Sequence, residues 1–119
     1  TAGEQIVNAS FKKQLSQLYN EVNQEIYSTG VSKQKIDIAE NRIVIFAETK
    51  RSPLISVLGK RYPELTLSVD GALAMEYKRR LKEHVEEQFG LTVTAIFKDY
   101  DASSQHACTV IYVQEPLEP

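Results

Sequence analysis

Apolar residues first set a helical beat along this chain. Val7, Phe11, Leu15, Leu18, Tyr19, Val22 and Ile26 fall within about 120° of arc at the helical period, with Lys13, Gln17, Asn20 and Gln24 opposite them. This spacing predicts an amphipathic helix from Val7 that ends at Gly30, where a left-handed cap is least strained without a Cβ. The beat then changes to two. KIDIAENRIVIFAE predicts strands over Lys35 to Ala39 and Arg42 to Glu48, joined at Glu40-Asn41, with Asn41 supplying the positive φ of the turn. Ser52, Pro53 and Gly59 read as N-cap, first helical residue and stop of a short helix inside a connector over 53–69. A second long helix is predicted from about Asp70, with Leu73, Tyr77, Leu81, Val85 and Phe89 as its stripe and Gly90 as its cap. LTVTAIFK and HACTVIYV form a second hairpin around the seven-residue loop DYDASSQ.

The implied fold class is α+β. Two helix-hairpin units (αββ-αββ) form a mostly antiparallel four-stranded sheet packed by two long helices, with a short connecting helix. The central strands are apolar on both faces: Ile43, Ile45 and Ala47 alternate with Val44 and Phe46, and Ala107, Thr109, Ile111 and Val113 with Cys108, Val110 and Tyr112. Such strands are covered on both sides. Two helices cover one face, so the connector, a second subunit, or both must cover the other; a homodimer is expected.

Length bounds the rest. The 119 residues, 42% of them hydrophobic, suit a single domain. A net charge of −2 excludes a globally basic, nucleic-acid-seeking surface. One cysteine makes no internal disulfide and fits a reducing, cytoplasmic setting. No apolar run approaches the length of a transmembrane helix, and TAGEQIVNAS has no signal-peptide character. The chain opens on Thr1 without an initiator methionine, as a domain cut from a longer protein would.

Candidate chemistry concentrates in KDYDASSQHACTVIYV. Asp99, Asp101 and Ser103 have the 1, 3, 5 spacing of a calcium loop, but Ser104 and Val110 stand where that motif needs Gly and a bidentate Glu. His106 and Cys108 share a strand face with Val110 and Tyr112, the setting of a small buried hydrophobe rather than an activated thiolate. A hairpin tip is the better reading, with a small metal-dependent or Cys/His enzyme as the alternative. His84 sits at the edge of the second helical stripe. KRRLK, Lys78 to Lys82, offers a phosphate-binding ridge, a second alternative that would make the chain an RNA-binding module. Glu76-Arg80, Arg79-Glu83 and Lys82-Glu86 pairs at i,i+4 neutralise it, so no nucleic acid is expected. No cofactor fingerprint is present, and no catalytic residue, metal ligand or cofactor is assigned.

KRSPLISVLGKR differs. Its four cations, Lys50, Arg51, Lys60 and Arg61, surround Leu54, Ile55, Val57 and Leu58 with no acid among them, leaving −6 for the rest of the chain. The plain reading is that these apolar residues cap the open sheet face. The alternative makes Lys50, Arg51, Leu54, Ile55, Leu58, Lys60 and Arg61 a docking surface for a partner or an anionic membrane edge.

The stretch FKKQLSQLYNEVNQEIYSTGVSKQKIDIAENRIVIFAE, the connector SPLISVLGKR, the helix EYKRRLKEHVEEQFGLTV and the closing FKDYDASSQHACTVIYV resemble the MpsC family, named after a component of a Na+-translocating membrane potential-generating system. The resemblance covers nearly the whole chain. It implies a single MpsC-like domain over 1–119, of a kind that also occurs in tandem. It further implies a non-catalytic accessory or regulatory binding module of a bacterial membrane ion or bicarbonate uptake system, peripheral to the membrane, with a membrane protein as partner. It brings no site residues with it.

Overall fold

A computed structural model describes residues 5–118. The elements run β1 (Gln5–Ile6), α1 (Ala9–Tyr27), β2 (Val31–Ala39), β3 (Arg42–Thr49), α2 (Pro53–Leu58), a 3-10 turn (Gly59–Arg61), α3 (Pro63–Phe89), β4 (Val93–Asp101), β5 (His106–Val113) and β6 (Leu117–Glu118). The fold is α+β. Strands β2-β3-β5-β4 form one antiparallel sheet in that order, and β1 pairs with β6 as a separate two-stranded parallel ribbon.

Both hairpins form as the alternation predicts, and the two long helices cover one face of the sheet. Phe11, Leu15, Leu18, Tyr19 and Val22 of α1 and Tyr77, Leu81 and Val85 of α3 are buried there with Ile43, Ile45, Ile111 and Val113 of the central strands. These pairings bring polar atoms along. Tyr19 and Thr109 share a hydroxyl hydrogen bond of 2.8 Å across the helix-sheet interface, which explains a fully buried threonine in an apolar row.

Several boundaries move. Helix α1 starts after Asn8, whose Oδ1 accepts the Phe11 N–H at 3.0 Å, and its left-handed cap is Ser28 at φ 60°, not Gly30. Gly30 is required by close approach instead: a Cβ there would lie 3.0 Å from Asn20 Oδ1, the atom that accepts the Val31 N–H at 2.8 Å. In the first hairpin Glu40 takes the positive φ, not Asn41. Asn41 is used differently, its Nδ2 donating to the Val113 carbonyl at 3.1 Å and its own carbonyl accepting the Val113 N–H at 2.9 Å. β2 begins at Val31 rather than Lys35, through an irregular register between Val31 and Lys33. In the second hairpin the strands take up part of the expected loop, so Asp99 and Asp101 lie in β4.

The largest correction is α3, which starts at Pro63, not near Asp70, and runs 27 residues. At 1.5 Å per residue it is roughly 40 Å long, and its first half reaches beyond the sheet. Leu65, Leu67 and Met75 are exposed on it. That half carries no helical stripe because there is no core for it to cover, and ELTLSVD therefore reads from sequence as connector. The molecule is correspondingly elongated, 54 × 23 × 20 Å.

The connector also fails to cover the second sheet face. α2 packs on α3, and on the open face Phe46 and Phe97 remain 46% and 57% exposed.

Candidate binding sites

The segment Lys50 to Arg61 divides into two kinds of residue. Ile55 is fully buried and so faces away from any docking surface, Leu58 is partly buried, and Leu54 and Val57 are 75% and 82% exposed. A six-residue helix has one side to bury, and α2 gives that side to α3, so its opposite side projects. Lys50, Lys60 and Arg61 are exposed beside it. Arg51 is not an uncompensated cation: its guanidinium donates to Asp70 Oδ2 at 2.7 Å, tying the start of the connector to α3. Tyr62 and Leu65 are also exposed at the start of α3, whereas Leu67, on the other side of that helix from Leu65, lines the cavity at the base of the arm. This is the arm of the molecule, with Glu64 as the acid of its first turn.

Among the described residues no helix is long and apolar enough to cross a membrane.

At the base of the arm lies a cavity of about 380 Å³ between the end of α1, the β3-α2 connection, the middle of α3 and β4. Lys98 extends into it from the helix-covered face of β4. Its Nζ stands 3.6 Å from the centroid of the Tyr77 ring and 4.3 Å from that of Tyr27. Among the described residues no carboxylate lies within ion-pair distance of it. Burial pulls the amine down to a pKa of about 7, and no neighbouring charge counteracts that. The same burial pushes the Tyr27 phenol up to about 12.

Asn23 stands on the α1 side of this cavity and is 1% exposed. Its Nδ2 donates to the Tyr19 carbonyl at 2.8 Å and to the Tyr77 hydroxyl at 2.7 Å. A carbonyl only accepts, so the amide orientation is fixed, and Oδ1 is left buried without a donor. A buried acceptor with no partner costs about 1–3 kcal/mol.

Neither Lys98 nor Asn23 was singled out by the sequence. A signal exists: Ile96 and Tyr100 flank Lys98 at two-residue spacing, which places the lysine on the inward face of its strand. Asn23 sits beside Val22 and Tyr19 in the stripe of α1, one position round from the polar side.

The other candidates resolve by geometry. Asp99 pairs across the sheet with Cys108 and Asp101 with His106, so the four residues of the enzyme alternative are brought together, on the open face beside Phe46 and Phe97. Asp101 is occupied there: its Oδ2 accepts the Ser104 hydroxyl, and the Ser103 hydroxyl and the Ser104 N–H each at 3.0 Å, which lowers its pKa and closes the hairpin. Among the described residues no three His, Cys, Asp or Glu side chains are placed to hold a metal ion. Changing both Asp99 and Asp101 to Asn keeps an acceptor at each position. That variant should shift unfolding free energy by no more than about 0.5 kcal/mol in urea titration, with or without calcium.

In the KRRLK ridge, Arg79 contacts Glu76 and Glu83, each at 2.6 Å, and Arg80 contacts Glu76 at 3.2 Å and Glu25 of α1 at 2.9 Å. Glu86 turns away from Lys82 to accept the Val93 N–H at 2.9 Å. His84 is partly buried on α3, at the edge of the stripe.

No family model, curated protein or solved structure matches the chain.

Proposed function

We propose that the chain is a non-catalytic accessory module that docks through its arm on the anionic surface of a membrane, beside an ion or bicarbonate uptake system of the MpsC type, and that it works as a homodimer. The observation that carries the docking is the set of exposed apolar side chains on α2 and early α3, Leu54, Val57, Tyr62 and Leu65, flanked by the cations Lys50, Lys60 and Arg61. Aliphatic side chains, one aromatic and basic neighbours suit the boundary between headgroups and acyl chains. An isolated surface leucine needs no explanation, but four exposed apolar side chains within twelve residues do. The nature of the membrane system comes from the family resemblance alone.

Near an anionic leaflet each cation contributes about 1 kcal/mol, so three contribute roughly a hundredfold in affinity. Lys50, Lys60 and Arg61 changed together to Gln should therefore bind phosphatidylglycerol vesicles at least tenfold more weakly than the wild type in co-sedimentation. Arg51 is left in place because it holds Asp70. Binding should also weaken with salt as the Debye length shrinks below roughly 8 Å. Equal vesicle binding by both chains, or none by either, would remove the membrane from this reading and leave an acidic protein surface as the partner for the arm.

A further inference from the structure

Lys98 is mostly withdrawn from water, faces two aromatic rings and, among the described residues, forms no ion pair. We propose that the cavity at the base of the arm binds a small organic acid. Its carboxylate pairs with Lys98 Nζ, and its apolar or aromatic body lies against Tyr27 and Leu67.

Three observations converge on that class of ligand. The first is the space: about 380 Å³ is within the range of cavities that hold small metabolites. The second is charge. Lys50, Arg51 and Lys98 line the cavity against the two carboxylates of Asp70 and Asp99. Asp70 is held by Arg51 at 2.7 Å and Asp99 Oδ1 accepts the Tyr100 N–H at 2.9 Å, so neither acid is directed to Lys98. The third is the aromatic wall beside the amine, where the Tyr27 and Tyr77 ring centroids lie 5.6 Å apart. A plain carboxylate such as acetate pairs with the lysine alone; an acid with an apolar or aromatic body also covers that wall.

Protonation gives the site a pH signature. The groups around the amine are Tyr27 from α1, Asp70 and Tyr77 from α3, Lys50 and Arg51 from the connection, and Asp99 and Tyr100 from β4. Burial raises the pKa of all three tyrosines, so they stay neutral up to mildly alkaline pH. Lys98 is the group that changes charge near neutrality, from about 7 upward. The anion binds the ammonium form, so above that pH the complex must take up a proton, and affinity falls up to tenfold for each further pH unit. This proposal does not depend on membrane docking, since the arm can be silent while the cavity binds, and the reverse.

The test is an NMR titration of the full chain with lactate, 4-hydroxybenzoate and salicylate, each compared with uncharged 4-hydroxybenzamide. At least one acid should shift the Asn23 side-chain amide and the Lys98 and Tyr100 backbone signals. Its affinity should fall more than tenfold between pH 6.5 and 8.5, and more than tenfold at pH 6.5 in Lys98→Met, while 4-hydroxybenzamide binds far more weakly than the acid. Lys98→Met removes a buried charge, so a folded spectrum is expected and is read in the same experiment. The proposal is overturned if none of the three acids moves those signals, if folded Lys98→Met binds as well as the wild type, or if the neutral amide binds as tightly as the acid.

Discussion

Replacing Lys98 with methionine should stabilise the protein by about 2–4 kcal/mol at pH 7, although it deletes two cation-π contacts. The amine pKa falls from 10.5 to about 7 because burial disfavours its charge. Each tenfold change in a protonation constant is about 1.4 kcal/mol, so the full penalty is roughly 4–5 kcal/mol, reduced because the side chain is still partly exposed and because contacts to Tyr27 and Tyr77 offset about 1 kcal/mol. The sign follows from linkage. An unfolded lysine keeps its proton up to about pH 10.5, whereas the folded one loses it near 7, so between those values the unfolded state binds more protons and stability rises with pH. Below pH 7 the penalty is complete and constant. Methionine has no such term. The gain from Lys98→Met in urea titrations should therefore be largest at pH 6.5 and shrink toward zero by pH 9.5, below the range in which Tyr27 titrates. A gain that does not vary with pH, or a loss at pH 7, would show that the amine is solvated in the folded chain.

The second large effect concerns the open sheet face. Cross-strand pairing arranges it in rows: Lys33, Glu48, His106 and Asp101; Lys35, Phe46, Cys108 and Asp99; Asp37, Val44, Val110 and Phe97; Ala39, Arg42, Tyr112 and Ala95. The centre is apolar, with Phe97 and Tyr112 in edge contact at 6.0 Å; Lys33 and Lys35 stand at the β2 edge, paired with Glu48 and Asp37, and Asp99 and Asp101 at the β4 edge. In the homodimer proposed above, a two-fold axis parallel to the strands would lay β2 of one copy over β4 of the other at the same row. Lys35 then faces Asp99, Lys33 faces Asp101, Glu48 faces His106 and Phe46 faces Cys108. Such a face complements itself, as a two-fold interface must. Sheets packed in this way lie about 10 Å apart with strands roughly 30° off parallel. Phe46→Lys should weaken dimerisation at least a hundredfold, because it inserts a charge into the apolar centre twice per dimer. Lys35→Glu should weaken it about tenfold, and adding Asp99→Lys should restore it, a reciprocity that no intrachain effect of either change produces. Sedimentation of the wild type as a monomer at micromolar concentration, or failure of the paired reversal to restore association, would contradict this arrangement.

What the sequence made legible follows the length of each apolar pattern. The stripe of α1 and the two-sided strands β3 and β5 determine the helix layer, the hairpins and the existence of an open face, because each repeats over enough residues to define a period. Positions that carry a single irregular residue were lost. Ser28 and Glu40 take positive φ where Gly30 and Asn41 were the chemically easier choices, and the reason is tertiary: Gly30 is needed where Asn20 approaches, and Asn41 is needed to fasten the end of β5. The first half of α3 was lost because a helix that covers nothing has no stripe. Residues expected to cap the sheet, Leu54 and Val57, are instead exposed on the arm. Lys98 was lost to the ordinary expectation that a lysine in a strand points outward.

The claim that the arm docks the chain on a membrane is tested most directly by amide hydrogen exchange with and without phosphatidylglycerol vesicles. Protection should rise in α2 and the first half of α3, residues 53–75, and stay unchanged in α1 and the far end of α3, which the core already protects. Unchanged exchange across 53–75 in the presence of anionic vesicles, or protection that appears in the strands of the four-stranded sheet instead, would contradict it.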